Sequence, residues 1–172
     1  MSRSTNRWSG PTLVGATLTT GLAAGAFDVF SHTIMPGLRK TDDRTFVAAF
    51  QNIDRAITNP RFLGVTFLGP VIATAAAAIA NRREKQRVQI AAALALYLAA
   101  VAITARVNLP LNNAITGAGD PDRIDLATVR RQFDEQRWAR WNGARVVTSS
   151  GAFALLAWAL AGHGTDQLCA AP

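Results

Sequence analysis

The sequence predicts an all-α fold: a four-helix transmembrane bundle with two amphipathic loop helices on one side. Three observations predict it. First, apolar residues make up 49% of the 172-residue chain, and they gather in blocks. Second, the blocks 62–80, 88–105 and 146–162 carry no charge, and 11–34 is interrupted only by Asp28 and His32. Each is close to the roughly 17–25 mostly apolar residues that cross a hydrocarbon core. Third, the two long loops between these blocks carry apolar residues at helical spacing opposite polar ones. The length corresponds to one integral membrane domain, 1–172.

In chain order, residues 1–10 are polar and basic, with Trp8 where an interfacial anchor would sit. The first span follows to about Ile34, ended by Pro36-Gly37, and Gly21 and Gly25 form a small-xxx-small pair suited to close packing. A cleaved signal peptide is the competing reading of this run, since Arg3 and Arg7 precede it and Ala23 to Ala26 are small. Thr41-Asp42-Asp43 can cap a loop helix in which Phe46, Phe50, Ile53 and Ile57 recur at spacings of four, three and four. Gln51, Asp54 and Arg55 are placed on its other face, and Asn59-Pro60 closes it. The second span contains Pro70, tolerable where a neighbour satisfies the freed carbonyl. A tight basic hairpin, 81–87, leads to the third span, which ends near Arg106. Turn-rich residues 117–120 precede a second amphipathic segment, 125–145, and the fourth span completes the bundle.

The net charge of +7 and pI near 11.2 would suggest nucleic acid in a soluble protein. Here the basic residues flank spans, as topology and anionic lipid require, so lipid is the expected partner and nucleic acid is not. Arg3, Arg7, Arg82, Arg83, Lys85 and Arg87 share one face in short segments, which places both termini in the cytoplasm of a bacterial membrane protein. Cys169 stands alone, giving no disulfide framework and no thiolate metal cluster.

With four spans, the first and third loops share one end, and that end collects polar side chains. Asp28 and His32, four residues apart, lie on one helix face about 6 Å from each other. Intramembrane ionisable groups are costly and point to a site. Asn108 and Asn112 follow the third span, and Trp138, Trp141, Asn142 and Arg145 precede the fourth. An Asp–His couple suggests general-base chemistry: Asp28 holds the imidazole in one tautomer and His32 accepts a proton. The Asn and Arg residues would supply hydrogen-bond donors and the tryptophans a wall. Plainer roles compete: Asp28 paired with Arg106 or Arg145, His32 at the interface, Asn108 and Asn112 as turn residues, Trp138 and Trp141 as belt anchors, Arg145 snorkelling. A metal or haem centre fits poorly, because the other histidine, His163, falls at the far end, about 25–30 Å away.

The ordered motifs Met35-Pro36-Gly37-Leu38, 42–62, Asn108-Leu109-Pro110-Leu111-Asn112, Phe133 and Arg137 to Arg145 resemble those of the anthrone oxygenase-like family of small membrane proteins. Leu109, where the family pattern has Val, and Asp54, where its first loop often has Asn, are departures. The resemblance implies four spans and, for some fungal members, oxidation of an anthrone to an anthraquinone by O2; most bacterial members have no assigned function. An anthrone has an acidic methylene, and its carbanion reacts with O2 without metal or flavin. The chemistry needs a base, a donor for the developing phenolate, aromatic walls and an apolar route, with a hydrophobic aromatic as substrate and O2 as co-substrate. The alternative is a membrane scaffold or small transporter with Asp28 as a structural or proton-coupled acid.

Overall fold

The computed structural model describes residues 6–168, so Arg3 and Cys169 lie outside the described residues. Four helices are long and apolar enough to cross a membrane, which makes the chain a multi-pass membrane protein, and no strand occurs among the described residues. The first span, Ser9–Arg39, packs on the second, Phe62–Ala80, and on the fourth helix, Glu135–Leu168; the third, Arg87–Thr116, packs on the second and fourth. This is an up-and-down bundle closed around an alanine-rich core. Ala16, Ala23, Ala77, Ala93, Ala152 and Ala159 are buried there with Leu13, Ile90, Tyr97 and Leu156. Small side chains bring the backbones close, which maximises van der Waals contact where lipid gives no hydrophobic drive between helices.

The helices run past the expected ends. The first reaches Arg39 through Pro36, the third reaches Thr116 through Pro110, and the fourth starts eleven residues before Val146. In the first and third spans the turn before the proline explains why. Pro36, Pro70 and Pro110 each stand second in the α-helical stretch after a π-helical segment: Phe30–Ile34, Phe62–Leu68 and Thr104–Asn108. A proline lacks the N–H for the preceding turn and clashes with its carbonyl, and a widened turn just before it relieves both. In the second span the hydroxyl of Tyr97 donates to the Phe67 carbonyl at 3.0 Å, so a neighbour does satisfy backbone beside Pro70.

The two long loops form one cap over one end. Asp42 accepts from the Thr45 N–H at 2.7 Å and starts the helix Asp43–Ile57; Asp125 accepts from Thr128 N–H at 3.1 Å and starts Leu126–Phe133. The expected single segment over 125–145 instead breaks at Asp134. That residue adopts φ 48°, and its carboxylate accepts from the Arg137 N–H at 3.1 Å, turning the chain into the fourth helix. Aspartate tolerates this left-handed backbone because its short side chain bonds locally.

A second core, all aromatic at its centre, fastens the cap. The Phe50 and Phe133 rings lie 4.6 Å apart, and Trp138 meets Phe50 edge-on at 6.2 Å. Around it, Arg130 bonds Asp43 at 2.8 Å and lies 4.3 Å over the Phe46 ring, while Arg44 bonds Asp122 at 2.6 Å. Gln51, expected on the polar face, is buried. Its amide donates to the carbonyls of Ile115 at 2.9 Å and Gly119 at 3.0 Å, tying the loop helix to the end of the third span.

Candidate functional site

A cavity of about 180 Å³ lies between the cap and the bundle. All three π-helical segments contribute to it: Phe30 from the first span, Phe62, Leu63 and Phe67 from the second, and Thr104 from the third. Widened turns of this kind recur at functional sites because they displace side chains from the regular helical register. Phe27 and Trp138 complete the aromatic lining, and Phe50, Ile53 and Ile57 of the first loop helix cover it. Leu63 and Leu109, 40% and 47% exposed, stand at its rim.

Five polar residues border this apolar space: Asp54, Thr58, Thr104, Asn112 and Arg145. Trp138 Nε1 donates to Asn112 Oδ1 at 2.7 Å. An indole N–H can only donate, so Asn112 turns its oxygen to Trp138 and its NH2 to Asp54, donating to Oδ1 at 2.6 Å. The other carboxylate oxygen of Asp54 has no partner among the described residues. Desolvation holds the Asp54 carboxyl above the usual carboxylate pKa, and the bond from Asn112 opposes this only in part.

Arg145 is 7% exposed. It donates from Nη2 to Asn142 Oδ1 and from Nη1 to Thr104 Oγ1 at 3.1 Å, and its guanidinium lies 4.5 Å from the Phe27 ring centroid. Its buried Nε has no partner, and no carboxylate lies within ion-pair distance among the described residues. Asn142 is held in turn by donating to the Phe27 carbonyl at 3.0 Å and Ser31 Oγ at 2.6 Å. A buried cation with stacked aromatic faces, a spare donor and no counter-charge is suited to an oxyanion on an aromatic ligand.

Of the residues expected at the mouth, Asn112, Trp138 and Arg145 line the cavity and Asn142 braces Arg145. Asn108 is buried behind it, donating to the Trp138 carbonyl at 3.3 Å. Asp28 and His32 do bond each other, Oδ1 to Nδ1 at 2.8 Å, but their side chains are 53% and 70% exposed on the outer surface of the bundle. Neither lines the cavity, and Asp28 meets neither Arg106 nor Arg145. The inward stripe of the first span is Ala23, Phe27 and Phe30, spaced four and three; Asp28 and His32 fall on the next stripe. Trp141, 37% exposed, likewise sits beside the inward row of Trp138, Asn142 and Arg145. His163 lies against Gly10 at the opposite end of the bundle from His32.

Asp54, like Gln51, lies on the inward side of the loop helix rather than on the expected polar face. It follows Phe46 and Phe50 at successive spacings of four, an acid within the apolar row, and that register was the available signal.

Residues 59–155 match the family model described as anthrone oxygenase. The chain belongs to the anthrone oxygenase family. The segment matched to the family contains Thr104, Asn112, Trp138, Asn142 and Arg145, so most of the polar cavity lies inside it, whereas Asp28, His32 and Asp54 precede it. No curated relative and no solved structure matched the chain.

Proposed function

We propose that the protein is a membrane-embedded oxygenase acting on a lipophilic hydroxyaromatic with an acidic C–H, of the anthrone type, with O2 as oxidant. One observation carries this reading: a buried arginine without a counter-ion and a half-buried carboxylate meet in one aromatic-walled cavity. At about 180 Å³ the space is smaller than the roughly 300–1,000 Å³ of pockets for drug-sized ligands, so the ligand is a flat aromatic of few rings. The exposed leucines at the rim give it an apolar entry from the bilayer.

Asp54 is the base. Its raised pKa brings it closer to that of an acidic methylene than a free carboxylate would be, and Asn112 holds one of its oxygens in place. Removing the proton moves charge onto the ring oxygen, where the guanidinium of Arg145 stabilises it. The carbanion carbon then bonds to O2, being oxidised as O2 is reduced to the peroxide level, and the distal oxygen takes the proton from Asp54. Loss of the second C–H proton with cleavage of the O–O bond leaves C=O and water, so CH2 and O2 become C=O and H2O. The electrons come from the substrate, and this step requires neither metal nor flavin. A positioned base contributes about 10²–10⁴-fold and an oxyanion donor about 10²–10³-fold.

This base replaces the His32–Asp28 couple, whose outward position separates it from the cavity. Binding can be tested without turnover, using a hydroxyanthraquinone whose phenolate absorbs to the red of its phenol. Bound to the wild type it should ionise at lower pH than in detergent micelles, and Arg145→Met should abolish that shift. An identical titration with both proteins would remove Arg145 from the anion site.

A further inference from the structure

The end of the bundle opposite the cap carries a groove of about 1010 Å³ that the oxygenase chemistry does not use. Its upper edge is the hairpin after the second span, where Arg82, Arg83 and Arg87 are all exposed and none pairs with a carboxylate among the described residues. Glu84 is the single acid in the lining. The lower wall is apolar and faces the bilayer: Ile79 is 69% exposed and Trp8 55%, with Ala76 and Thr12 below them. The groove is built into the fold rather than draped on it. Asn6 Nδ2 and Ser9 Oγ both donate to the Ala80 carbonyl, at 3.2 and 3.4 Å, pinning the start of the first span to the end of the second. Arg7 lies 4.8 Å over the Trp8 ring and adds a further cation beside it.

We infer that this groove is a binding site for one anionic phospholipid, its phosphate on the hairpin arginines and its acyl chains along Trp8, Ala76 and Ile79. Guanidinium groups take phosphate oxygens in pairs, which an arginine cluster does better than scattered lysines. Basic pockets between spans recognise anionic head groups, and a tryptophan at the same level marks the head-group plane. The apolar wall, continuous with the lipid-facing side of the second span, selects a lipid over a free phosphate ester. The inference is independent of the oxygenase reading, since no residue of the cavity takes part.

The test uses the full chain purified into phosphatidylcholine nanodiscs and doped with phosphatidylglycerol, with bound lipid counted by native mass spectrometry and unfolding followed by temperature. Wild type should retain phosphatidylglycerol against a phosphatidylcholine excess and melt at higher temperature with it. Arg82→Gln/Arg83→Gln/Arg87→Gln should lose roughly 100-fold in apparent affinity, from three basic contacts at an anionic surface. The corresponding triple lysine variant should recover the part of it that depends on charge but not the part that depends on paired contacts, which reports that the hairpin is folded, and glycerol phosphate alone should not raise the melting temperature. Equal retention by the wild type and the glutamine variant, equal retention of the two lipids, or stabilisation by glycerol phosphate alone would each overturn the inference.

Discussion

Replacing Arg145 by methionine separates a catalytic role for this cation from a structural one. The substitution removes two charge-assisted hydrogen bonds, to Asn142 and Thr104. At about 1.5–3 kcal/mol each, that loss is about 3–6 kcal/mol. Against it stands the desolvation of a cation that no carboxylate compensates, a penalty of several kcal/mol that the neutral side chain removes. Methionine also keeps contact with the Phe27 face, where sulfur–aromatic packing contributes about 0.3–1.5 kcal/mol. The terms nearly cancel, so stability should change by no more than about 2 kcal/mol, a shift of roughly 4–8 °C in melting temperature. Turnover responds differently, because the donor matters only as charge develops on the substrate oxygen. Initial O2 uptake with an anthrone should fall about 10²–10³-fold. A folded variant that oxidises the anthrone at the wild-type rate would refute this role, and so would a collapse of the melting temperature far beyond that range.

Asp54→Asn keeps the hydrogen bond to Asn112 but cannot accept a proton, so turnover should fall about 10²–10⁴-fold. Because burial raises its folded pKa above the unfolded value, the carboxyl's favourable contribution is complete below the unfolded pKa and is lost as pH rises through the folded one. Thermal unfolding of the asparagine variant should therefore gain on the wild type as pH rises through and above the ordinary carboxylate range, while wild-type activity rises over a range displaced upward from ordinary carboxylates. His32→Ala, at an exposed position, should leave turnover within about twofold of wild type in the same O2 assay. Phe50→Ala removes a ring that is 2% exposed and packed on Phe133, at a cost of about 3–5 kcal/mol. It should expose the Asp43–Ile57 segment to protease while leaving the spans protected.

The spans were legible because a hydrocarbon core imposes a length and an apolar composition that no other context demands, and 62–80 coincides with Phe62–Ala80. Which end the loops shared was equally legible, since alternation of spans fixes it, and the Gln51, Arg44 and Arg130 contacts realise it. What local pattern alone did not yield was rotation about each helix axis. Asp28 and His32 sit at the right depth, one stripe away from Phe27 and Phe30, and only packing decides which stripe faces in. The π-helical segments compound this: each shifts the register of the residues beyond it, so a 3.6-residue count cannot be carried through Pro36, Pro70 or Pro110. Asp54 was misplaced for another reason, because a charged residue in a loop helix is assigned by default to its solvated face.

The most direct measurement is the stoichiometry of O2 uptake and quinone formation by membranes containing the protein, supplied with an anthrone and compared with a heat-treated control and with Asp54→Asn. One O2 consumed per quinone formed, well above both controls, is the predicted result. No excess over the heat-treated control across anthrones and related hydroxyaromatics would contradict the oxygenase reading.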